Sequence, residues 1–141
     1  MARVKLITRY LLGALLVMQG VNHFVNAGVF ARIVPPYLPW HLELVYLSGA
    51  AEVVLGLLLC APRSARLAGW GIILLLVAVF PANVYMAMHA ELFPALPVSA
   101  LWLRLPLQAI FIAWAWWYTQ ELQPVPEEPR PGPGFRANAV E

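Results

Sequence analysis

Four stretches of apolar residues constrain this chain more than any other feature. Each is about 20 residues long, and together they occupy roughly residues 6–25, 41–60, 67–88 and 98–118. A helix of about 20 residues crosses the roughly 30 Å hydrocarbon core of a bilayer. A soluble domain needs about 25% charged residues, whereas this chain has 11% charged and 62% hydrophobic residues. The sequence therefore predicts an all-α integral membrane protein whose four transmembrane helices form a bundle.

The positions of the basic residues predict the orientation of the bundle. Three basic residues (Arg3, Lys5 and Arg9) precede or begin the first span, and Arg63 and Arg66 lie between the second and third spans. The other two loops contain only Arg32. Because cytoplasmic loops are enriched in Lys and Arg, we expect both termini in the cytoplasm. The basic residues form no patch, so a nucleic-acid partner is not expected.

Two further expectations concern the ends of the chain. The basic start, the apolar stretch and the Val25-Asn26-Ala27 triplet also fit a cleavable signal peptide, which would leave three spans. Residues 121–141 are rich in Pro, Glu, Gly and Arg, and such a composition predicts a disordered cytoplasmic tail.

With eight Arg to one Lys and abundant Ala and Leu, the composition is typical of a GC-rich bacterial genome. The expected location is therefore a bacterial inner (plasma) membrane.

Polar and ionisable side chains occur within all four spans. An ionisable side chain in hydrocarbon costs from about 2.5 kcal/mol upward, so it normally faces the bundle interior and has a partner. Most of these residues are spaced three or four apart, which places them on one face of each helix. The candidates for a ligand-binding pocket are Gln19, Asn22, His23, Ser48, Glu52, Asn83, Arg104 and Gln108.

These residues are expected to converge on one layer in the outer half of the bundle. At 1.5 Å per residue, their depths below the outer boundary are similar, and the expected ion pair joins Glu52 to Arg104. Pro81 and Pro106 would free backbone carbonyls at the same level. The alternative is a purely structural role in which the polar groups only fix the register of the helices. The small residues Gly49, Ala50, Ala51 and Gly56 are expected to permit close helix packing.

Other chemistry has weaker support in the sequence. His23, His41 and His89 all lie toward the outer side, but no Cys or second nearby carboxylate supports a metal or haem site. Cys60 has no second cysteine with which to form a disulfide or a redox pair. We therefore predict no metal site and assign Cys60 to helix packing or to a lipid-facing position.

Five motifs in one order resemble the DoxX family of small four-helix membrane proteins, over about residues 6–118. They are Gly20-x-x-His23-Phe24, Ile33-Val34-Pro35-Pro36-Tyr37-Leu38-Pro39, Ser48-Gly49-x-x-Glu52, Phe80-Pro81-Ala82-Asn83 and Leu103-Arg104-x-Pro106-x-Gln108. The resemblance implies a DoxX-like four-helix transmembrane domain over residues 1–120. It also implies a link to quinone-dependent sulfur oxidation or to redox maturation complexes, in which some relatives are subunits. This chain lacks the paired cysteines of thiol-handling relatives.

Two functional hypotheses follow from the residues and the resemblance. In the first, the polar layer binds a quinone headgroup, and the protein is a redox-associated subunit with a partner subunit. In the second, the protein is a non-enzymatic carrier of lipids or small molecules, or a membrane assembly partner. A carrier with four spans would need a homo-oligomer to enclose a path. Because the sequence has no cysteine pair and no dinucleotide-binding loop, a self-sufficient enzyme is not expected.

Overall fold

The computed structural model describes residues 2–120, and helices are the regular secondary structure between those positions, with no strand. The helices are α1 (Ala2–Val25), α2 (Ala27–Ala31), α3 (His41–Cys60), α4 (Ala65–Met88) and α5 (Val98–Thr119), with a short 3-10 turn at Ala90–Leu92. The first long helix begins four residues earlier than predicted, and α2 was not expected to be helical. The predicted disordered tail at 121–141 lies outside the described residues.

Four of these helices (α1 from Arg3, α3, α4 and α5) are long and apolar enough to cross a membrane. Their outward faces carry large apolar side chains, such as Ile7, Leu47 and Leu74, which are 66%, 67% and 72% exposed. An apolar surface of this extent is stable in lipid and is rare on soluble monomers. The predicted all-α architecture with four helices of membrane-spanning length is confirmed.

Two pairs of glycines bring α1 and α3 into backbone contact. A Cβ atom at Gly20 would lie 2.5 Å from the Gly49 carbonyl oxygen, and one at Gly56 would lie 2.7 Å from the Gly13 carbonyl oxygen. The glycines are seven residues apart on each helix, and the helices run antiparallel. Only residues without a side chain allow this approach. Gly49 and Gly56 therefore have the predicted packing role, whereas Ala50 is exposed.

The bundle has an apolar core at each end. We call the end where α1 begins and α5 ends the base, and its buried residues are Leu12, Leu16, Leu59, Ala65, Ala68, Ile72, Ala115 and Tyr118. We call the opposite end the cap, where the two connections at 26–40 and 89–97 meet. Its buried residues are Ile33, Met86, Ala87, Phe93 and Leu101. The polar residues of the spans lie between these two cores.

Hydrogen bonds join α5 to α1 at the base. Tyr118 Oη donates to Thr8 Oγ1 at 2.8 Å, and Trp114 Nε1 donates to Tyr118 Oη at 3.0 Å. Thr8 in turn donates to the Val4 carbonyl oxygen at 2.8 Å. These bonds satisfy the polar tips of two aromatic side chains and fix α5 against α1.

Candidate functional site

A cavity of about 440 Å³ lies between the base and the cap. This volume is within the range of small-molecule sites, roughly 300–1,000 Å³. Side chains from all four long helices and from the connection after α2 line the cavity. Seven of the eight predicted polar residues are among them: Gln19, His23, Ser48, Glu52, Asn83, Arg104 and Gln108. The structure thus brings together residues that are up to 89 positions apart in the sequence.

Asn22 is the predicted pocket residue that does not line this cavity. Its Oδ1 accepts a hydrogen bond of 2.6 Å from Asn26 Nδ2, at an exposed part of the helix end. Adjacent residues of a helix differ by about 100° in direction, because the helix has 3.6 residues per turn. Because His23 points into the cavity, Asn22 points away from the cavity. The prediction that Asn22 lines the pocket was wrong.

His23 and Glu52 form a contact between α1 and α3 inside the cavity. Their Nδ1 and Oε2 atoms are 3.0 Å apart, and their side chains are only 11% and 10% exposed. The same Nδ1 is 3.0 Å from the Gln19 carbonyl oxygen, one turn earlier in α1. That carbonyl is aligned to accept the Nδ1 proton, whereas Glu52 Oε2 has no aligned donor. Glu52 therefore has an ion-pair contact but keeps unused capacity to accept a hydrogen bond.

Arg104 does not pair with Glu52, so the predicted ion pair between them was wrong. Its Nη1 atom instead donates to Met86 Sδ at 3.1 Å. Within residues 2–120, no carboxylate lies at ion-pair distance from the Arg104 guanidinium group. The glycine contacts between α1 and α3 explain the difference, because they bring His23 beside Glu52 while Arg104 lies toward the cap. A thioether is only a weak acceptor, so Arg104 keeps most of its hydrogen-bonding capacity.

Asn83 and Gln108 join α4 to α5 across the cavity wall. Asn83 Nδ2 donates to Gln108 Oε1 at 2.9 Å, and Gln108 Nε2 donates to the Leu76 carbonyl oxygen. Pro81 lies inside α4, and because it has no N–H group the carbonyl of Val77 loses its donor within the helix. The two amides satisfy each other close to this proline, and their first role is to hold α4 and α5 together.

The rest of the wall is apolar. Ser48 Oγ donates to the Val45 carbonyl oxygen of its own helix at 2.9 Å, and the exposed Gln19 lies at the edge of the cavity. Residues of α3, α4 and α5 supply most of the apolar surface: Leu44, Val45, Leu47, Ala51, Leu75, Leu76, Ala78, Val79, Leu107 and Phe111. A few convergent polar groups in a mostly apolar pocket are typical of sites for small molecules.

Sequence reasoning missed the part that four residues play in the site. Phe30 and Ile33 lie between the first two spans, outside the predicted set of polar pocket residues, yet they line the cavity. The Phe30 ring lies 4.1 Å from the His23 ring, centroid to centroid. Gly13 and Gly20 were also not recognised as partners of Gly56 and Gly49. Their matching seven-residue spacing is the signal that could have revealed them.

The remaining histidines and Cys60 lie elsewhere. His41 Nε2 is 3.1 Å from the Pro35 carbonyl oxygen, and His89 Nδ1 is 3.0 Å from the Tyr85 carbonyl oxygen. In the described part of the chain, no group of three or more His, Cys, Asp or Glu residues has a geometry that could hold a metal ion. The half-buried Cys60 packs beside Gly13, where an added Cβ would lie 2.6 Å from its Sγ.

Comparison with known proteins gives a family but no named relative. No curated protein and no solved structure matches the chain significantly. A family profile described as a domain of unknown function matches residues 12–119. This range contains every residue that lines the cavity. The chain therefore belongs to the DUF8561 family.

Proposed function

We propose that this protein binds the headgroup of a membrane-borne quinone in the cavity and acts as a subunit of a redox complex. The observation that carries the proposal is the pairing pattern inside the cavity. Glu52 keeps an acceptor oxygen without an aligned donor, and Arg104 keeps guanidinium donors that have only a thioether partner. The buried Glu52 oxygen is costly unless a ligand completes its interactions, and the half-buried Arg104 has donors to offer the same ligand.

The chemistry of the three ionisable residues suits a quinone. Quinone carbonyl oxygens accept hydrogen bonds, and the Arg104 guanidinium group supplies donors of fixed geometry. In the reduced quinol, the hydroxyl group supplies the donor that Glu52 Oε2 lacks. Reduction of a quinone also requires protons. The His23–Glu52 pair offers two groups that can donate and accept a proton, 3.0 Å apart. The apolar wall would exclude water from the headgroup and strengthen these polar interactions.

The proposal includes a location and an orientation. We place the protein in a bacterial inner membrane with both termini in the cytoplasm, which puts the cap and the cavity on the outer side. The basic residues near the base support this orientation, because Arg3, Lys5, Arg63 and Arg66 all lie there. The backbone contacts of α1 with α3 support a retained first span over a cleaved signal peptide.

The resemblance to the DoxX family stays a prediction. It is supported by the fact that residues from all five of its motifs line the same cavity: His23, Ile33, Glu52, Asn83 and Gln108 are examples. A redox role adds a partner subunit to the proposal, since the sequence has one cysteine and no dinucleotide-binding loop.

Quinone-dependent stabilisation tests the proposed function. The protein is purified in mild detergent, and its melting temperature is measured alone, with decylubiquinone and with the reduced form, decylubiquinol. Wild type should be stabilised, because a ligand that binds the folded state raises its stability. Arg104→Leu should lose most of the stabilisation by either form, and Glu52→Gln should lose most of the additional stabilisation by the quinol, whose hydroxyl group donates to the carboxylate. Asn22→Ala is the matched control, since Asn22 adjoins His23 in sequence but lies outside the cavity. If the ligand raised the melting temperature of all four proteins equally, the proposal would be wrong.

A lipid-binding or carrier role is the second candidate, and one observation favours it. Arg104 has no carboxylate at ion-pair distance within residues 2–120, so an anionic headgroup would also complete its interactions. Native mass spectrometry of the purified protein separates the two candidates by the mass that remains bound. A quinone mass supports the redox role, and a phospholipid or fatty-acid mass supports the carrier role.

A further inference from the structure

Buried apolar side chains lie at both ends of the cavity. At the cap, Ile33, Phe93 and Leu101 are 7%, 6% and 1% exposed. The connection above the cavity is fixed by the contact between His41 Nε2 and the Pro35 carbonyl oxygen. At the base, the apolar core around Leu12 and Leu59 fills the bundle. A ligand that enters through either end must therefore pass buried apolar side chains.

The cavity is open at the side, between α3 and α4. These helices touch near the base, where a Cβ at Gly71 would lie 2.5 Å from Leu55 Cδ2. Nearer the cap, the cavity-lining residues Leu47 of α3 and Ala78 of α4 are exposed on the outer surface. Leu47 is 67% exposed although it also lines the cavity. The cavity thus reaches the surface between these two helices.

The walls of this opening are apolar throughout. Three residues of α3 and three of α4 line the cavity on this side: Leu44, Leu47, Ala51, Leu75, Ala78 and Val79. Because α3 and α4 are both long and apolar enough to span a membrane, the opening faces hydrocarbon. A hydrocarbon chain in such a gap replaces lipid contacts with protein contacts and leaves no polar group unpaired.

We infer that the ligand is an amphipath that enters sideways from the bilayer and leaves its hydrocarbon tail between α3 and α4. This inference rests on the proposed function for the headgroup at His23, Glu52 and Arg104, and it adds the tail and the route. It defines the ligand class as a molecule that partitions into the bilayer, as opposed to one taken from the aqueous side. Leu47 and Ala78 become the residues that control entry.

A second side of the bundle offers a competing route. Between α1 and α5, the exposed Gln19 and the 39% exposed Leu107 also line the cavity. A tail on this side would cover the Gln19 amide, and covering an unpaired amide with hydrocarbon is unfavourable. The α3–α4 gap has no such polar side chain among its six lining residues.

Two quinones that differ only in their tails test the inference. Binding is measured in lipid nanodiscs for decylubiquinone and for 2,3-dimethoxy-5-methyl-1,4-benzoquinone, which is the same headgroup without the tail. The concentration of each quinone is expressed per lipid. In Ala78→Trp and Leu47→Trp, a bulkier side chain narrows the gap. Association of decylubiquinone should then slow roughly tenfold, and by a larger factor than association of the tail-less quinone. Leu57→Trp is the control, since Leu57 lies on α3, is 60% exposed and does not line the cavity.

A photoreactive tail gives an independent readout of the route. A decylubiquinone analogue with a diazirine at the tail end should label peptides from 41–60 and 65–88. Labelling of 2–25 and 98–119 alone, or slowing by Leu107→Trp and not by Ala78→Trp, would overturn the α3–α4 route. Equal binding of the tailed and tail-less quinones to all variants would overturn the role of the tail but leave the headgroup site intact. Failure of both quinones to bind wild type would overturn the headgroup proposal and the tail together.

Discussion

The imidazole of His23 and the carboxylate of Glu52 meet at 3.0 Å because Gly49 has no side chain. A Cβ atom at position 49 would lie 2.7 Å from the Cβ atom of His23 and 3.0 Å from the Gly20 carbonyl oxygen. The absence of one methyl group thus permits the helix approach and the ionisable pair one turn away. Packing and site chemistry depend on the same position.

Gly49→Ala should therefore lower both stability and ligand binding. Overpacking at a tight contact costs roughly 1–3 kcal/mol, and the displaced α1 would carry His23 away from Glu52. Thermal unfolding in detergent and decylubiquinone binding measure the two effects. Gly28→Ala is the control, because nothing lies within 4 Å of a Cβ atom at Gly28. A normal melting temperature in Gly49→Ala would contradict the close approach.

Arg104→Leu should separate binding from stability. The guanidinium group has no carboxylate at ion-pair distance within residues 2–120, so its removal leaves no buried carboxylate without a counter-ion. We expect the melting temperature to stay level or rise, while quinone affinity falls by about 1.5–3 kcal/mol, the usual value of a hydrogen bond to a charged group. A large loss of stability in Arg104→Leu would support the purely structural role of the polar layer.

Gln108→Leu should destabilise the contact between α4 and α5. The change removes the acceptor of Asn83 and the donor to the Leu76 carbonyl oxygen, and unsatisfied buried polar groups cost about 1–3 kcal/mol. The double variant Asn83→Leu with Gln108→Leu should lose less stability than the sum of the two single variants, since both residues share one bond. Additive losses, measured by unfolding, would argue against the Asn83–Gln108 bond.

Tyr118→Phe tests the base independently of the cavity. The hydroxyl group joins Trp114 to Thr8, so its loss should lower the free energy of unfolding by about 1 kcal/mol. Quinone binding should stay as in wild type, because Tyr118 does not line the cavity. If quinone binding were weaker at unchanged stability, contacts at the base of the bundle would influence the cavity.

The sequence predicted the long helices well because length and hydropathy decide which segments can span a bilayer. α3 begins and ends at the predicted residues 41 and 60. The polar residues of the cavity were also recognisable, since a polar side chain inside an apolar span needs an interior partner. What spacing alone could not provide was the choice of partner for Glu52. A spacing of four residues places side chains on one face, but the register between helices decides which helix that face meets.

The register depends on features that a pattern of polar residues does not contain. Gly13 and Gly20 determine how far α1 slides along α3, and the contact of His23 with Glu52 follows from that position. Met86 contacts Arg104 only because of how α4 meets α5 near the cap. The connection through Phe30 and Ile33 turns back over the cavity, and neither its apolar composition nor its prolines predicted that path.

Two helical hairpins line the cavity, and the glycine contacts of α1 with α3 hold the first of them together. The first helical hairpin carries the acid–base pair, His23 and Glu52. The second hairpin, α4 with α5, carries the guanidinium and amide groups of Arg104, Asn83 and Gln108, and its own hydrogen bonds hold it together. A small rotation of one hairpin against the other would therefore change the distance from the His23–Glu52 pair to the Arg104 guanidinium group while the contacts within each hairpin remain.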